Sequence, residues 1–249
     1  MITLKDSREI AIMREAGKIS AGALERARAV IRPGVSTFAV DQAVREFIES
    51  HGATPSFLHY NGFPASACIS LNDEVIHGIP SKKRIIQDGD VVSVDVGAYY
   101  KGYHSDTAYT FAAGVISEEA RRLLEATQEC LRLGIEAAVA GARIVDISRA
   151  VEQHAVGQGF SVVQDYEGHG VGKNLHEEPS VPNFVFGRPG PRLFPGTTIA
   201  IEPMITAGRA AVRVLKDGWT VVTADGSISA HFEHTIAVTS NGPEILTQL

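Results

Sequence analysis

The acidic residues Asp95, Asp106, Glu202 and Glu233 and the imidazole of His169 have side chains of the kind that hold divalent cations. Two of the acids interrupt runs that are otherwise strongly apolar. Asp95 lies in Val91-Val92-Ser93-Val94-Asp95-Val96, and Glu202 ends Thr198-Ile199-Ala200-Ile201-Glu202. Runs of this composition and length read as strands. Alternation puts Asp95 on the same side as Ser93, and Glu202 on the same side as Ala200 and Thr198. A carboxylate buried alone in such a place is costly and tends to take up a proton. Taken singly, each acid reads as a solvated strand-end residue. Brought together, the four would repel one another strongly at low effective dielectric. Protonation or basic partners would relieve that repulsion in part. Two divalent cations would relieve it more completely, and they suit oxygen ligands.

The histidines point the same way. Glu167-Gly168-His169-Gly170-Val171-Gly172-Lys173-Asn174-Leu175-His176-Glu177-Glu178-Pro179 is the most unusual stretch of the chain. Its glycines permit backbone conformations suited to close approach of a ligand. One imidazole added to four carboxylates suits Mn, Fe, Co or Zn better than Mg or Ca. Without the acids, the same stretch would read as a glycine-rich turn carrying surface histidines. His77, in Ile76-His77-Gly78-Ile79-Pro80, precedes a Gly-x-Pro turn, and on these residues alone a structural role is the simpler reading.

An internal repeat explains how the acids could meet. Gly34 and Gly141, Ala43 and Ala150, Val44 and Val151, Gly52 and Gly159, Gly89 and Gly196, and Asp95 and Glu202 are all separated by 107 positions. His104 and His231, and Asp106 and Glu233, are separated by 127. The second copy therefore carries about 20 extra residues, around 209–226, between its two acids. Each copy reads as two helices followed by two antiparallel strands. Asp6-Ser7-Arg8-Glu9 is a capping-box pattern. Ser117 can cap the third helix, with Glu118 and Glu119 in its first turn. Second helices are expected over 37–50 and 144–158, stopped by Gly52 and Gly159. Asp88-Gly89 and Pro195-Gly196 signal turns before the outgoing strands, and return strands are expected over 105–112 and 230–239. The expected fold class is α+β: one catalytic domain over 1–249, with copies at about 6–114 and 115–249.

Bulk composition excludes several classes. The chain has 249 residues and a net charge of −6, so charge alone gives no reason to expect a nucleic-acid binder. No apolar run reaches the ~18 residues a membrane span needs. Met1–Asp6 lacks the apolar core of a secretory signal, and Cys68 and Cys130 form no disulfide framework. A reducing cytoplasm and no membrane association are expected.

His77-Gly78-Ile79-Pro80, Asp90 with Asp95, Asp106-Thr107, His169 with His176-Glu177-Glu178-Pro179, Ile201-Glu202-Pro203-Met204 and Glu233-His234-Thr235 together form a specific pattern. From about residue 3 to 247 the chain resembles the type I methionine aminopeptidases. That resemblance implies the pita-bread fold, two pseudo-two-fold-related halves with helices outside a curved antiparallel sheet. It implies two divalent cations: one chelated by Asp95, both bridged by Asp106 and Glu233, the other completed by His169 and Glu202. His77, His176 and Glu202 become the catalytic residues. His77 would contact the substrate near the scissile amide, His176 would hydrogen-bond the oxyanion, and Glu202 would relay a proton. Tyr60, Phe63, Cys68, His77, Leu175, His176 and Trp219 would bind substrate, with Phe57 at the pocket edge. Asn72, Glu74 and Ser229 would offer oxygens to a monovalent cation, Na or K. The implied substrates are nascent polypeptides and peptides with N-terminal methionine, cleaved at the first peptide bond by a monomer.

This sequence departs from the pattern at Gly97, where a threonine is expected, at Leu175, where an aromatic is common, and at Phe63, where a tyrosine is frequent. Arg209, Arg213 and Lys216 could touch ribosomal RNA, although three basic residues more often make a solvated face. Three rival readings are a catalytically silent interaction module, a hydrolase of Xaa-Pro or guanidino substrates, and a two-metal phosphoesterase. The first should have lost ligands, the second should carry a large N-terminal domain, and the third should cluster basic residues near the acids.

Overall fold

The computed structural model describes residues 2–249. Local signals place the helices as the sequence suggests. Asp6 Oδ1 accepts from the backbone N–H groups of Arg8 and Glu9, while Glu9 accepts from Asp6 N–H at 2.9 Å. This reciprocal cap opens α1 (Ser7–Val30). Ser36 caps α2 (Thr37–Ser50), and Ser117 caps α3 (Glu118–Ala137). The fourth helix, α4 (Ile144–Gly157), starts after Arg143. Gly52 and Gly159 follow α2 and α4 at φ +71° and +84°, the left-handed stop that glycine adopts without a Cβ penalty.

One antiparallel nine-stranded sheet runs through both halves. Its order is Thr54–Pro55, Val91–Tyr100, Tyr103–Ala112, Glu233–Thr239, Thr198–Ile201, Gly168–Gly170, Glu177–Val181. Ala67–Leu71 pairs with Val91–Tyr100, and Gly242–Ile245 with Glu233–Thr239. The strands bearing or leading into the four acids are thus its centre.

Alternation divides the sheet into two functions. Val92, Val94 and Val96 pack with Leu24 of α1 and Val40, Val44 and Ile48 of α2. In the second half Ile199, Ile201, Ile236 and Val238 pack with Leu123 and Leu131 of α3 and Ile147 and Val151 of α4. Each such aliphatic side chain contributes ~1.5–3 kcal/mol on burial. The helices therefore cover one face of the curved sheet, and the acids point to the other. This is the expected pita-bread arrangement.

One strand expectation needs correction. The run expected over 230–239 is interrupted at Phe232, giving Ser229–His231 and Glu233–Thr239. The first piece leaves the large sheet to pair with Met204–Thr206. The extra residues form a hairpin that is anchored on the first half. Val212–Val214 pairs with Val221–Thr223, which pairs in turn with Glu74–Ile76 of the first half. Pairing between halves was invisible to local sequence because nothing in either strand names its distant partner.

Candidate metal centre and pocket

Register explains how the acids converge. Asp95 is paired with Ala108, and Ala108 is also paired with Glu233 on its other side. Directly paired residues share a face of the sheet. Asp95 and Glu233 thus occupy one row, separated by the small alanine. Asp106 lies two residues from Ala108 and so on the same face. His234 pairs with Ile201, which brings Glu202, just past the strand end, opposite Glu233.

Reciprocal threonine contacts hold the two return strands. Thr107 Oγ1 donates to the Glu233 carbonyl at 2.8 Å, and Thr235 Oγ1 donates to the Asp106 carbonyl at 2.8 Å. The pseudo-symmetry thus reaches the side chains next to the central acids. Glu202 is held through its carbonyl, which accepts from Asn183 Nδ2 at 2.9 Å.

His169 Nε2 lies 3.6 Å from Asp106 Oδ2 and 3.7 Å from Glu202 Oε1. Asp106, His169 and Glu233 each present a ligand atom within 4.8 Å of the others. His169 Nδ1 sits 2.9 Å from the Gly170 carbonyl. Donation there puts the ring proton on Nδ1 and leaves Nε2 with its lone pair toward the acids.

Burial makes this cluster electrostatically unfavourable as bare protein. Desolvation raises the pKa of Asp95, an effect only partly offset by its hydrogen bond with Asp106. Burial, then Glu233 and Asp95, holds Asp106 well above the usual carboxylate range. Burial and neighbouring acids do the same for Glu202 and Glu233. Burial lowers His169 to about 3, so it stays neutral. Asp95 Oδ1, Asp106 Oδ1 and Glu233 Oε1 are buried without a hydrogen-bond partner. Orphaned carboxylate oxygens beside a neutral imidazole fit divalent cations, which supply both the missing partners and the opposite charge.

Beside the cluster is a cavity of about 240 Å³. Its lining includes all five candidate ligands and Phe57, Tyr60, Phe63, Cys68, His77, Leu175, His176 and Trp219. That volume is below the ~300–1,000 Å³ usual for drug-sized ligands and suits one amino-acid side chain. Phe63 and Trp219 meet edge to face, with centroids 5.2 Å apart. His77 has φ +58°, an uncommon conformation outside glycine that is often retained at functional positions. Tyr60 Oη is 2.8 Å from His176 Nδ1, and the rings of His169 and His176 are 4.1 Å apart.

The loop carrying Leu175 and His176 is tied down from afar. Glu177 Oε2 takes an ion pair from Lys5 Nζ at 2.6 Å, and Glu177 Oε1 accepts from Asn174 N–H at 3.1 Å. The departure at Gly97 also has a physical account. A Cβ there would lie 2.7 Å from Ser56 Cβ and 3.0 Å from Phe57 Cε1. Ser56 and Phe57 fill the space that a threonine would need.

Phe57 lines the cavity and is buried. Sequence reasoning passed over Tyr166 and Glu167, which also line it. Glu167 was legible in principle, since it abuts the Gly168-His169-Gly170 turn; Tyr166 carries no local signal. His231 was noticed only as the repeat partner of His104. Asn72, Glu74 and Ser229 do converge, but Ser229 Oγ lies 3.1 Å from the Asn72 carbonyl and 3.2 Å from the Glu74 carbonyl, so both already accept from it. Arg209, Arg213 and Lys216 are exposed. Among the described residues, no helix is long and apolar enough to cross a membrane.

The pattern of metallopeptidase family M24 matches residues 11–240. Methionine aminopeptidase of Clostridium perfringens is 52% identical over 249 residues, covering 99% of each chain. The crystal structure of methionine aminopeptidase from Thermotoga maritima matches with a TM-score of 0.98 at 44% identity, covering 100% of both chains. Xaa-Pro dipeptidase from Bacillus anthracis matches at 0.80 and 28% identity, covering 99% of this chain and 62% of that one.

Proposed function

Since this chain belongs to metallopeptidase family M24, and its full-length relatives are methionine aminopeptidases, we propose that it hydrolyses the first peptide bond of peptides and nascent proteins to release N-terminal methionine. The observation that carries this is the juxtaposition of orphaned buried carboxylates with a small apolar pocket. The single catalytic domain spans 1–249. The metal is divalent; Co, Mn, Fe and Zn all suit this donor set.

Asp95, Asp106, His169, Glu202 and Glu233 would hold the two cations, with Asp95 serving one, His169 and Glu202 the other, and Asp106 and Glu233 both. When bound, the pair lowers the pKa of water toward ~7 and polarises the scissile carbonyl. Glu202 takes the proton from the attacking water and passes it to the leaving amine. If the Tyr60 hydroxyl donates to His176 Nδ1, the proton of that neutral ring sits on Nε2. From there it can donate to the developing oxyanion, a contact whose loss typically costs about 3 kcal/mol. His77 contacts the substrate near the scissile amide. Methionine is an unbranched thioether whose sulfur favours aromatic edges, which Phe63 and Trp219 present. Tyr60, Cys68 and Leu175 complete the pocket. The free α-amine binds toward Asp95, which restricts cleavage to the chain end.

The enzyme works in the cytoplasm as a monomer on emerging chains, with Arg209, Arg213 and Lys216 the residues available for a transient ribosome contact. A monovalent cation, Na or K, would draw on oxygens of Asn72, Glu74 and Ser229. Metal-reconstituted enzyme should release methionine from Met-Ala and Met-Gly peptides. Preference for an Xaa-Pro dipeptide or a phosphate ester would overturn the assignment, and elemental analysis showing no bound metal would favour a silent interaction module.

A further inference from the structure

One imidazole in the cluster has no task in this scheme. His231 is 2% exposed, and its Nε2 has no hydrogen-bond partner. That atom lies 3.7 Å from Glu202 Oε2 and 3.9 Å from Glu233 Oε2. The opposite oxygen of Glu202, Oε1, faces His169. The opposite oxygen of Glu233, Oε1, is the buried orphan. The two glutamates therefore each turn one oxygen to His231 and keep the other on the far side.

The backbone beneath the ring is pinned. His231 is paired with Met204 in the strand ladder. Its N–H donates to Thr110 Oγ1 at 2.9 Å, and its carbonyl accepts from the same hydroxyl at 2.8 Å. Closing from 3.7 Å to a normal ~2.9 Å hydrogen bond needs less than about 1 Å of side-chain movement. A lone pair on Nε2 would face two carboxylate oxygens and be repelled. A proton there would make charge-assisted hydrogen bonds to both. The tautomer required is the opposite of that at His169, whose Nδ1 faces a carbonyl.

Given the metal centre proposed above, we infer that His231 is a positioning residue. Its Nε2–H holds the outer Oε2 atoms of Glu202 and Glu233 and leaves both Oε1 atoms for the cations. Donors behind metal-bound carboxylates fix ligand orientation, and losing one typically costs 10–100-fold in metal affinity. The amide of a glutamine can supply the same proton; leucine fills similar space without one.

Mn(II) titration calorimetry on the metal-free full chain tests this. His231→Leu should bind Mn(II) ~10–100-fold more weakly than the unsubstituted protein. His231→Gln should retain most of the affinity, and the metal-free melting temperature of H231L should not fall. Unchanged affinity in H231L, equal loss in both variants, or a loss matched by a lower metal-free melting temperature would each overturn the inference. Mn(II) binding by the unsubstituted chain with none of these differences sinks only the role of His231; failure of that chain to bind metal sinks the centre as well. A second reading needs no variant. The ¹⁵N shifts of His231 in Zn-loaded protein should show the Nε2–H tautomer, and an Nδ1–H ring would refute the hydrogen bonds.

Discussion

The two halves carry the same helix–helix–hairpin plan, yet they build it differently. In the first, Val91–Tyr100 and Tyr103–Ala112 pair along their full length across a tight turn. Asp95 and Asp106 sit well inside that ladder. In the second, Glu202 lies just beyond a four-residue strand, and the chain travels through the 212–223 arm before returning at Glu233. That arm reaches the first half, where it brings Trp219 against Phe63. The histidine loop also belongs to the second half. A rigid hairpin thus supplies short, fixed carboxylates, while the elaborated copy supplies longer, adjustable glutamates, the imidazole and much of the pocket. Each half supplies two acids to the centre, and the longer second half adds several of the side chains that line the cavity beside it.

Removing what joins the halves should have the largest effect. Chelation should abolish activity, and restoring metal at 100 times its dissociation constant should add about 2.7 kcal/mol of stability, read as a rise in melting temperature. Activity that survives complete metal removal would defeat the shared-centre view. Next is the glutamate proposed to move protons. E202Q should lower kcat by ~10²–10⁴-fold with an unchanged circular dichroism spectrum. Near-normal turnover would remove Glu202 from the chemistry.

The arm should separate pocket from metal. W219A should cost ~1–3 kcal/mol in kcat/KM for methionyl peptides while leaving metal content intact; loss of metal as well would mean the arm supports the centre. The first hairpin should resist enlargement. G97T should destabilise by ~1–3 kcal/mol through overpacking against Ser56 and Phe57, measured by denaturant unfolding.

The smallest effect is a slope with pH. Burial raises the folded-state pKa values of Asp95, Asp106, Glu202 and Glu233, and repulsion from neighbouring acids adds to this at Asp106, Glu202 and Glu233. Their contribution is full below the unfolded carboxylate values and is lost as pH rises through the folded ones. The buried histidines, lowered to between about 3 and about 4 at His77, His104, His169, His231 and His234, act in the opposite sense only below their unfolded value of 6.5. The metal-free protein should therefore lose melting temperature from pH 6.5 to 8, and the metal-loaded protein should not. A flat metal-free profile would mean the acids are not crowded in solution.

Much of this was legible locally. The caps at Asp6 and Ser117, the glycine stops at 52 and 159, and the outgoing strands are written in short-range patterns, because helix ends and pleats depend on neighbours a few residues away. The ligand residues stood out because charge in an apolar strand demands a partner. Glu177 did not stand out as a clamp for Lys5, because their pairing spans 172 positions. Trp219 could be assigned to the pocket only by resemblance, since nothing between 212 and 223 tells that the arm crosses to Glu74–Ile76.

By itself, then, the sequence determined the helices and the outgoing strands, the repeated spacing, and the set of side chains able to hold cations, all of which follow from residue type and spacing. Tertiary structure alone decided that Asp95 and Glu233 share a row across Ala108, that Ser56 and Phe57 close over Gly97, and that His231 sits behind two glutamates. The physical reason is that register and burial come from packing chain segments that lie far apart in sequence, whereas propensity and periodicity are set within a few turns.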